Sequence, residues 1–288
     1  MYDLSYVKKR RRRKIAALVS LFTAIGITSL VIISFLGRTV GTFSIKLTNT
    51  DVKLSLCEKS DFKNPTSYLH VGKIPTLREF SYTNLPDADY LDNENTDVIP
   101  PESIATTNDK GDAESVYFAK YTFYIRNTGN SVAQYNISIN ISDSQGVKDE
   151  TSRRTRYVDE TLRIMVYESD PNVEGSREHR VFARESNHGF NYYKNKDGVI
   201  DQTLREFVSF VPEDKVEDKE NGYELAESFI SDSVAAKYQK GDFAKGDVKR
   251  YTLVIWLEGE DPNSENSTQP PEGASLKLGV DIAAYENA

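Results

Sequence analysis

The chain has 288 residues, with 36 Lys and Arg against 44 Asp and Glu and a formal net charge of −8. Residues 1–14 alone carry a net charge of +6, which leaves −14 for the rest of the chain. A region this acidic repels phosphate groups, so the composition excludes nucleic acid as a partner. The single cysteine, Cys57, excludes an intrachain disulfide and favours a bacterial over an animal extracellular protein.

A basic cluster followed by an uncharged apolar segment begins the chain. The cluster consists of Lys8, Lys9, Arg10, Arg11, Arg12, Arg13 and Lys14. Residues 15–36 contain no charged residue and no Pro, and as a helix they span roughly 33 Å, against a bilayer core of about 30 Å. Lys and Arg beside a span remain cytoplasmic. We therefore predict a cytoplasmic tail (1–14), a transmembrane signal-anchor helix (15–36) and an extracellular domain (42–288), with the lipid bilayer as a partner.

Two further interpretations concern the apolar segment. A cleaved signal peptide requires small residues just before the cleavage point, and Thr39 and Gly41 form only a weak pair of this kind. Within the segment, small residues recur at every fourth position, which either allows close pairing of two helices or reflects the usual composition of bacterial spans. These residues are Ala16, Ser20, Ala24 and Thr28.

From residue 42 onward, apolar and polar residues alternate with the period of two that is typical of strands. The alternation predicts strands at residues 42–48, 52–57, 117–125, 135–141, 162–166 and 276–282. Residues 251–257 (YTLVIWL) are apolar on both faces, which predicts a central strand buried on both sides. Residues 127–130 (NTGN) predict a hairpin turn, and the spacing in residues 224–238 predicts a short surface helix. The pattern favours a mainly β fold, an antiparallel sandwich of two sheets with long loop insertions.

Few residues suit catalysis or metal binding. The chain has three His, and it lacks the HExxH, GxSxG, P-loop and GxGxxG motifs. Glu258, Glu260 and Asp261 follow the predicted central strand and form a weak candidate site for a divalent ion; the alternative is an acidic strand exit. His179 and His188 lie nine residues apart in a polar insertion, where either a metal pair or two solvated loop residues fit the pattern.

Two other segments raise the question of calcium, the one cofactor that the sequence leaves open. The acidic run at residues 87–97 is simplest as a solvated loop, although oxygen ligands suit Ca²⁺. Residues 195–200 (NKDGVI) imitate the middle of an EF-hand loop, but Tyr193 and Leu204 stand where acidic ligands are required. An Asp-Gly turn is therefore the favoured interpretation, and no cofactor is predicted.

Four segments resemble the bacterial camelysin/TasA-type surface proteins: residues 121–141, 162–168, 246–262 (GDVKRYTLVIWLEGEDP) and 274–282. The resemblance implies a jelly-roll-like β-sandwich in a secreted or cell-surface protein of a Gram-positive bacterium, and some members of the family build biofilm matrix fibres. Residues 37–43 only loosely match the family's signal cleavage end, which favours an anchored role. The proteolytic activity ascribed to camelysin has no recognisable ligand set in this sequence.

The leading hypothesis is a non-enzymatic, membrane-anchored surface protein whose acidic β-sandwich makes structural, adhesive or matrix contacts. It would contact itself or other surface proteins, by adding residues 42–56 to the open sheet of a neighbour. Three alternatives remain at this point: a cleaved and secreted fibre subunit, a metal-dependent protease, and a binding module that uses the insertion at residues 170–222.

Overall fold

The computed structural model describes residues 42–50, 52–95, 97–148, 155–184, 206–207, 225–259 and 275–286. The described residues are mainly β. The strands are β1 (Thr42–Thr50), β2 (Leu54–Cys57), β3 (Tyr68–Lys73), β4 (Thr76–Leu77), β5 (Glu79–Phe80), β6 (Ile104–Thr107), β7 (Ala113–Val116), β8 (Phe118–Asn127), β9 (Ala133–Gln145), β10 (Val147–Lys148), β11 (Thr155–Arg156), β12 (Leu162–Ser169), β13 (Glu178–Ala183), β14 (Glu206–Phe207), β15 (Leu225–Ser228), β16 (Val234–Phe243), β17 (Val248–Glu258) and β18 (Ser275–Glu286). One α-helical turn, α1 (Ala88–Leu91), and 3-10 turns at Tyr82–Asn84, Pro101–Ser103 and Val158–Glu160 complete the described elements.

Two large sheets contain most of these strands. The first has five strands in the order β16-β9-β18-β1-β3. The second has eight: seven in the order β14-β15-β13-β12-β17-β8-β2, with β5 pairing beside β17. Small sheets of β4-β7-β6 and β10-β11 are added to them. The prediction of a mainly β fold is therefore confirmed.

The pairing is mostly antiparallel, but not throughout. β1 and β18, the first and last described strands, lie side by side in parallel at the middle of the five-stranded sheet. Parallel pairing also joins β13 to β15, β5 to β17 and β4 to β7. Alternation in a sequence shows which face of a strand is buried but not the direction of its neighbour, so the expectation of a purely antiparallel sandwich is wrong in these places.

The inner faces of the two large sheets share one hydrophobic core. The five-stranded sheet contributes residues such as Ile45, Ile139 and Val280, and the eight-stranded sheet contributes residues such as Phe123, Ile164 and Ile255. The hydroxyl groups of Tyr135 on β9 and Tyr251 on β17 also meet in this core, 2.7 Å apart. A shared core between two sheets is what a β-sandwich requires.

The eight-stranded sheet is buried on its outer face as well. Residues 79–95, which we call the strap, contribute Phe80, Tyr82, Leu85 and Leu91 to a second apolar cluster over this face. From the sheet itself, Phe118, Met165, Val254 and Trp256 belong to the same cluster. All residues from Tyr251 to Leu257 are buried, so the prediction of a central strand buried on both faces is confirmed.

Two local predictions are wrong. Residues 127–130 do not join a hairpin, because β8 pairs with β17 and β2 while β9 pairs with β16 and β18. The turn instead carries the chain from one sheet to the other, and the Asn127 side chain supports it by donating to the carbonyl oxygens of Ser131 and Phe243. The predicted helix at residues 224–238 is replaced by β15 and part of β16, whose ladder contacts override a weak helical spacing.

The predicted membrane features lie outside the described residues. These features are the basic cluster at residues 8–14, the segment at residues 15–36 and its small residues Ala16, Ser20, Ala24 and Thr28. No helix in the described part of the chain has the length and apolarity that a membrane crossing requires.

Candidate functional site

The outer face of β8 and β17, under the strap, concentrates buried polar side chains. The strand register places Thr122 opposite Thr252 and Lys120 opposite Val254. Because side chains alternate along a strand, Lys120, Thr122, Arg250 and Thr252 all point to this one face. The strap covers them with the residues that follow α1, of which Asp92 is buried.

Asp92 ties the strap to β17. Its Oδ2 atom accepts a hydrogen bond from Nη2 of Arg250 at 2.7 Å, and its Oδ1 atom accepts one from Oγ1 of Thr252 at 2.8 Å. The hydroxyl of Thr252 lies 2.9 Å from that of Thr122, which continues the network onto β8. The Asp92 side chain is fully buried, so the charge-assisted bond to Arg250 compensates the loss of its hydration.

Lys120 is the second buried charged group on this face, with only 1% of its surface exposed. Its Nζ atom donates to Oδ1 of Asn93 at 2.7 Å and to the carbonyl oxygens of Leu91 at 3.2 Å and Tyr90 at 3.3 Å. Burial lowers the pKa of Lys120, and the nearby Asp92 carboxylate partly offsets this effect. Oxygen atoms of Tyr90, Leu91 and Asn93, within the run considered for calcium, thus contact an ammonium group of the protein itself.

Glu258, the first of the three predicted metal-ligand candidates, fastens the start of the strap. Its side chain is buried, and Oε2 accepts hydrogen bonds from Nε1 of Trp256 at 3.0 Å and from the backbone N–H of Tyr82 at 3.1 Å. Glu260 and Asp261 lie outside the described residues. Among the residues that are described, no group of three or more His, Cys, Asp or Glu side chains is arranged to hold a metal ion.

The described histidines and Cys57 are separated in the fold. His70 lies on β3 of the five-stranded sheet, whereas His179 lies on β13 of the eight-stranded sheet, with its ring 5.4 Å from that of Tyr167. Burial lowers the pKa of His179. His188 and residues 195–200 lie outside the described residues. Cys57 is buried at the end of β2 in a small cluster with Phe62.

A second buried carboxylate, Asp159, lies in the 3-10 turn before β12. It forms an ion pair with Arg184, which also pairs with the exposed Asp232, and it accepts a hydrogen bond from Ser144 at 3.3 Å. Burial raises the pKa of Asp159, against the opposing effect of Arg184. Like Asp92, this carboxylate connects separate elements of the fold.

Comparisons of the chain with protein-family models, curated proteins and solved structures found no match. The resemblance to camelysin/TasA-type proteins therefore stays a prediction.

One feature of the sequence could have indicated that Lys120 needs buried partners. Lys120 lies in β8, the neighbour of a strand that is apolar on both faces, so the outer face of β8 is also expected to be covered. A lysine on such a face requires buried oxygen partners. Its partners come from a segment about 30 residues earlier without any periodic pattern, and no short-range signal connects the two.

Proposed function

We propose that this protein is a non-enzymatic, membrane-anchored cell-surface protein whose acidic β-sandwich makes structural, adhesive or matrix contacts outside the cell. One observation carries the non-enzymatic part. The buried carboxylates of Asp92 and Glu258 each hold the strap onto the eight-stranded sheet. Groups saturated by such contacts stabilise a fold, whereas catalytic groups need to face a substrate.

The anchored topology rests on the order of the sequence features. Seven basic residues precede an uncharged segment of 22 residues, and an acidic chain follows. A jelly-roll-like strand path and membership of the camelysin/TasA-type family are part of the same proposal. They are supported by the two-sheet core and by the quoted segments 121–141 and 246–262.

The predicted self-association through residues 42–56 needs revision in one respect. β1 pairs with β18 on one side and β3 on the other, so it has no open edge to offer a neighbour. β2 ends the eight-stranded sheet, but the backbone of its Leu56 already exchanges hydrogen bonds with Thr66 on the outer side. Within the described residues, β3 forms one edge of the five-stranded sheet, and its Tyr68 is 49% exposed. An added strand would therefore pair with β3, whose outer edge is where unpaired backbone groups lie.

Topology can be tested by labelling engineered cysteines with a membrane-impermeant maleimide on intact cells. Cys57 is buried, so the background from the native chain is small. We expect Ser231→Cys, at an exposed position, to be labelled on intact cells. Ser5→Cys should be labelled only after permeabilisation. Labelling of both on intact cells, or of neither, would contradict the anchored topology.

The cleaved and secreted form is the second candidate. Cleavage after Gly41 would release a chain that starts at Thr42, the first residue of β1, so the five-stranded sheet would stay complete. N-terminal sequencing of the protein from membrane and medium decides between the two forms. A start at or near Met1 in membranes supports the anchor, and a start near Thr42 in the medium supports the secreted subunit.

A further inference from the structure

Lys120, which is buried, and Asn93, which is partly buried, bring an amine and a carboxamide together under the strap. Nζ of Lys120 lies 2.7 Å from Oδ1 of Asn93. Because a carbonyl bond is about 1.2 Å long, the Asn93 Cγ atom lies no more than about 3.9 Å from that nitrogen. The strap also positions the amine, because the carbonyl groups of Tyr90 and Leu91 accept from Nζ. This is close to the separation at which an oriented nucleophile reacts.

We propose that Lys120 and Asn93 form an intramolecular isopeptide bond that joins β8 covalently to the strap. The nitrogen of Lys120 bonds to Cγ of Asn93, the Cγ–Nδ2 bond breaks, and the carboxamide nitrogen leaves. The reaction consumes no oxidant and no cofactor. It exchanges one amide for another, so its products are the cross-linked chain and ammonia.

The buried surroundings favour the reactive form of the amine. An ammonium group has no lone pair, so Lys120 has to give up a proton before it attacks. Burial lowers its pKa, which makes the neutral amine more accessible than in water.

Nζ of Lys120 donates a hydrogen bond to Oδ1 of Asn93, so Oδ1 is a proton acceptor within direct reach. Transfer of one proton to Oδ1 leaves a neutral amine and makes Cγ more electrophilic. After attack on Cγ, the Lys120 nitrogen loses a second proton and Nδ2 gains one as it departs. The ammonia that is released takes the proton from Oδ1 as it leaves for solvent, so Oδ1 ends as the carbonyl oxygen of the new amide and the net product is an ammonium ion.

The chain contains an internal control for the role of burial. Nζ of Lys245 lies 2.8 Å from Oδ1 of Asn130, almost the same separation. Both of these residues are exposed, however, so water stabilises the ammonium form and competes for the amide. The Lys245–Asn130 pair is therefore expected to remain unlinked.

The test is a tryptic digest of the purified full-length protein, analysed by mass spectrometry. Trypsin cleaves after Arg78, Lys110 and Arg126, and an isopeptide-bonded Lys120 resists cleavage. We expect residues 79–110 and 111–126 to appear as one branched product, lighter than the sum of the two peptides by one ammonia. It should yield two N-terminal residues, Glu79 and Gly111, which a linear peptide with missed cleavages cannot do.

Matched variants separate the cross-link from other losses of ammonia. Lys120→Arg keeps a buried cation, and with this variant the branched product should disappear. Lys245→Arg should leave it unchanged. Release of residues 111–120 as a linear peptide from the native protein would show that the Lys120 side chain is unmodified. That result would overturn the proposal, and Lys120 would then be a buried ammonium group held by hydrogen bonds alone.

Discussion

On the five-stranded sheet, the outward residues of β9 are polar and partly exposed: Gln134, Asn136, Ser138 and Asn140. On the eight-stranded sheet, the outward residues Thr252, Val254, Trp256 and Glu258 of β17 are all buried under or beside the strap. The five-stranded sheet therefore packs against an apolar core on one face only, whereas the eight-stranded sheet packs against apolar residues on both faces. The difference explains why β9 alternates cleanly in sequence and β17 does not.

The strap contains both apolar and charged contacts with the face that it covers. Leu91 and Tyr82 belong to the apolar cluster around Trp256, while the Asp92 carboxylate accepts a hydrogen bond from the guanidinium group of Arg250. If the covered face is essential for stability, substitutions under the strap should lower the free energy of unfolding far more than equivalent substitutions on the outer face of the five-stranded sheet. Four predictions follow from this contrast, ordered by expected effect.

The largest effect is expected for Trp256→Ala. Trp256 is fully buried, and its indole N–H donates to Glu258, so the change opens a cavity and leaves a buried acceptor with one donor fewer. The free energy of unfolding should fall by about 4 kcal/mol. Urea unfolding followed by circular dichroism measures it. Gln134→Ala, on the uncovered face, is the matched control and should change stability by less than about 0.5 kcal/mol.

Asp92→Ala should have the next largest effect. The change leaves the guanidinium of Arg250, only 17% exposed, without its carboxylate partner. Removing one partner of a buried ion pair costs about 3 kcal/mol. Urea unfolding gives the stability, and limited proteolysis should show faster cleavage within residues 79–95. Equal proteolysis of the variant and the native protein would mean that apolar contacts alone hold the strap.

The two sheets also differ in how much of their structure was predictable from the sequence. The alternation of β9 and the two-sided apolar character of residues 251–257 reflect local burial, and both predictions are confirmed. The strap was not predicted, since its apolar residues come from turns and a single helical turn without a period. Periodicity detects strands and long helices, but not an irregular segment that covers a sheet.

Strand partners were less predictable than the strands themselves. The turn at residues 127–130 has the Asn and Gly of a hairpin, yet it connects two sheets, because each flanking strand finds its ladder partners far away in the chain. The charged part of the candidate site was unpredictable for the same reason. Asp92 and Arg250 are 158 residues apart in sequence, and only the fold brings them to 2.7 Å.

A third prediction concerns alkaline pH, at which the covered side should weaken. Burial, then a hydrogen bond to Glu102, raises the pKa of Tyr90 in the strap to about 12 from an ordinary value of 10.0. Burial raises the pKa of Tyr167, on the face below, to about 12 as well. The folded state therefore holds these protons more tightly than the unfolded state, so stability should fall as the pH rises from 10 to 12.

Phenolate absorbance and urea unfolding, measured over the same pH range, check this dependence. The double variant Tyr90→Phe/Tyr167→Phe should lose part of the pH dependence, because neither residue can then ionise in the unfolded chain. A native protein whose stability is constant between pH 10 and 12 would contradict the assignment.

The smallest effect belongs to the uncovered sheet. Lys46 on β1 and Asp281 on β18 form an ion pair at 3.5 Å, with side chains 50% and 34% exposed. Water and salt screen such a pair, so Lys46→Ala should cost no more than about 0.5 kcal/mol. The difference between this variant and Asp92→Ala measures directly what covering a sheet does to an ion pair. If Lys46→Ala destabilised the protein as much as Asp92→Ala, the outer face of the five-stranded sheet would have to be covered in solution, and self-association of the chain through that face would be the first explanation to test by sedimentation.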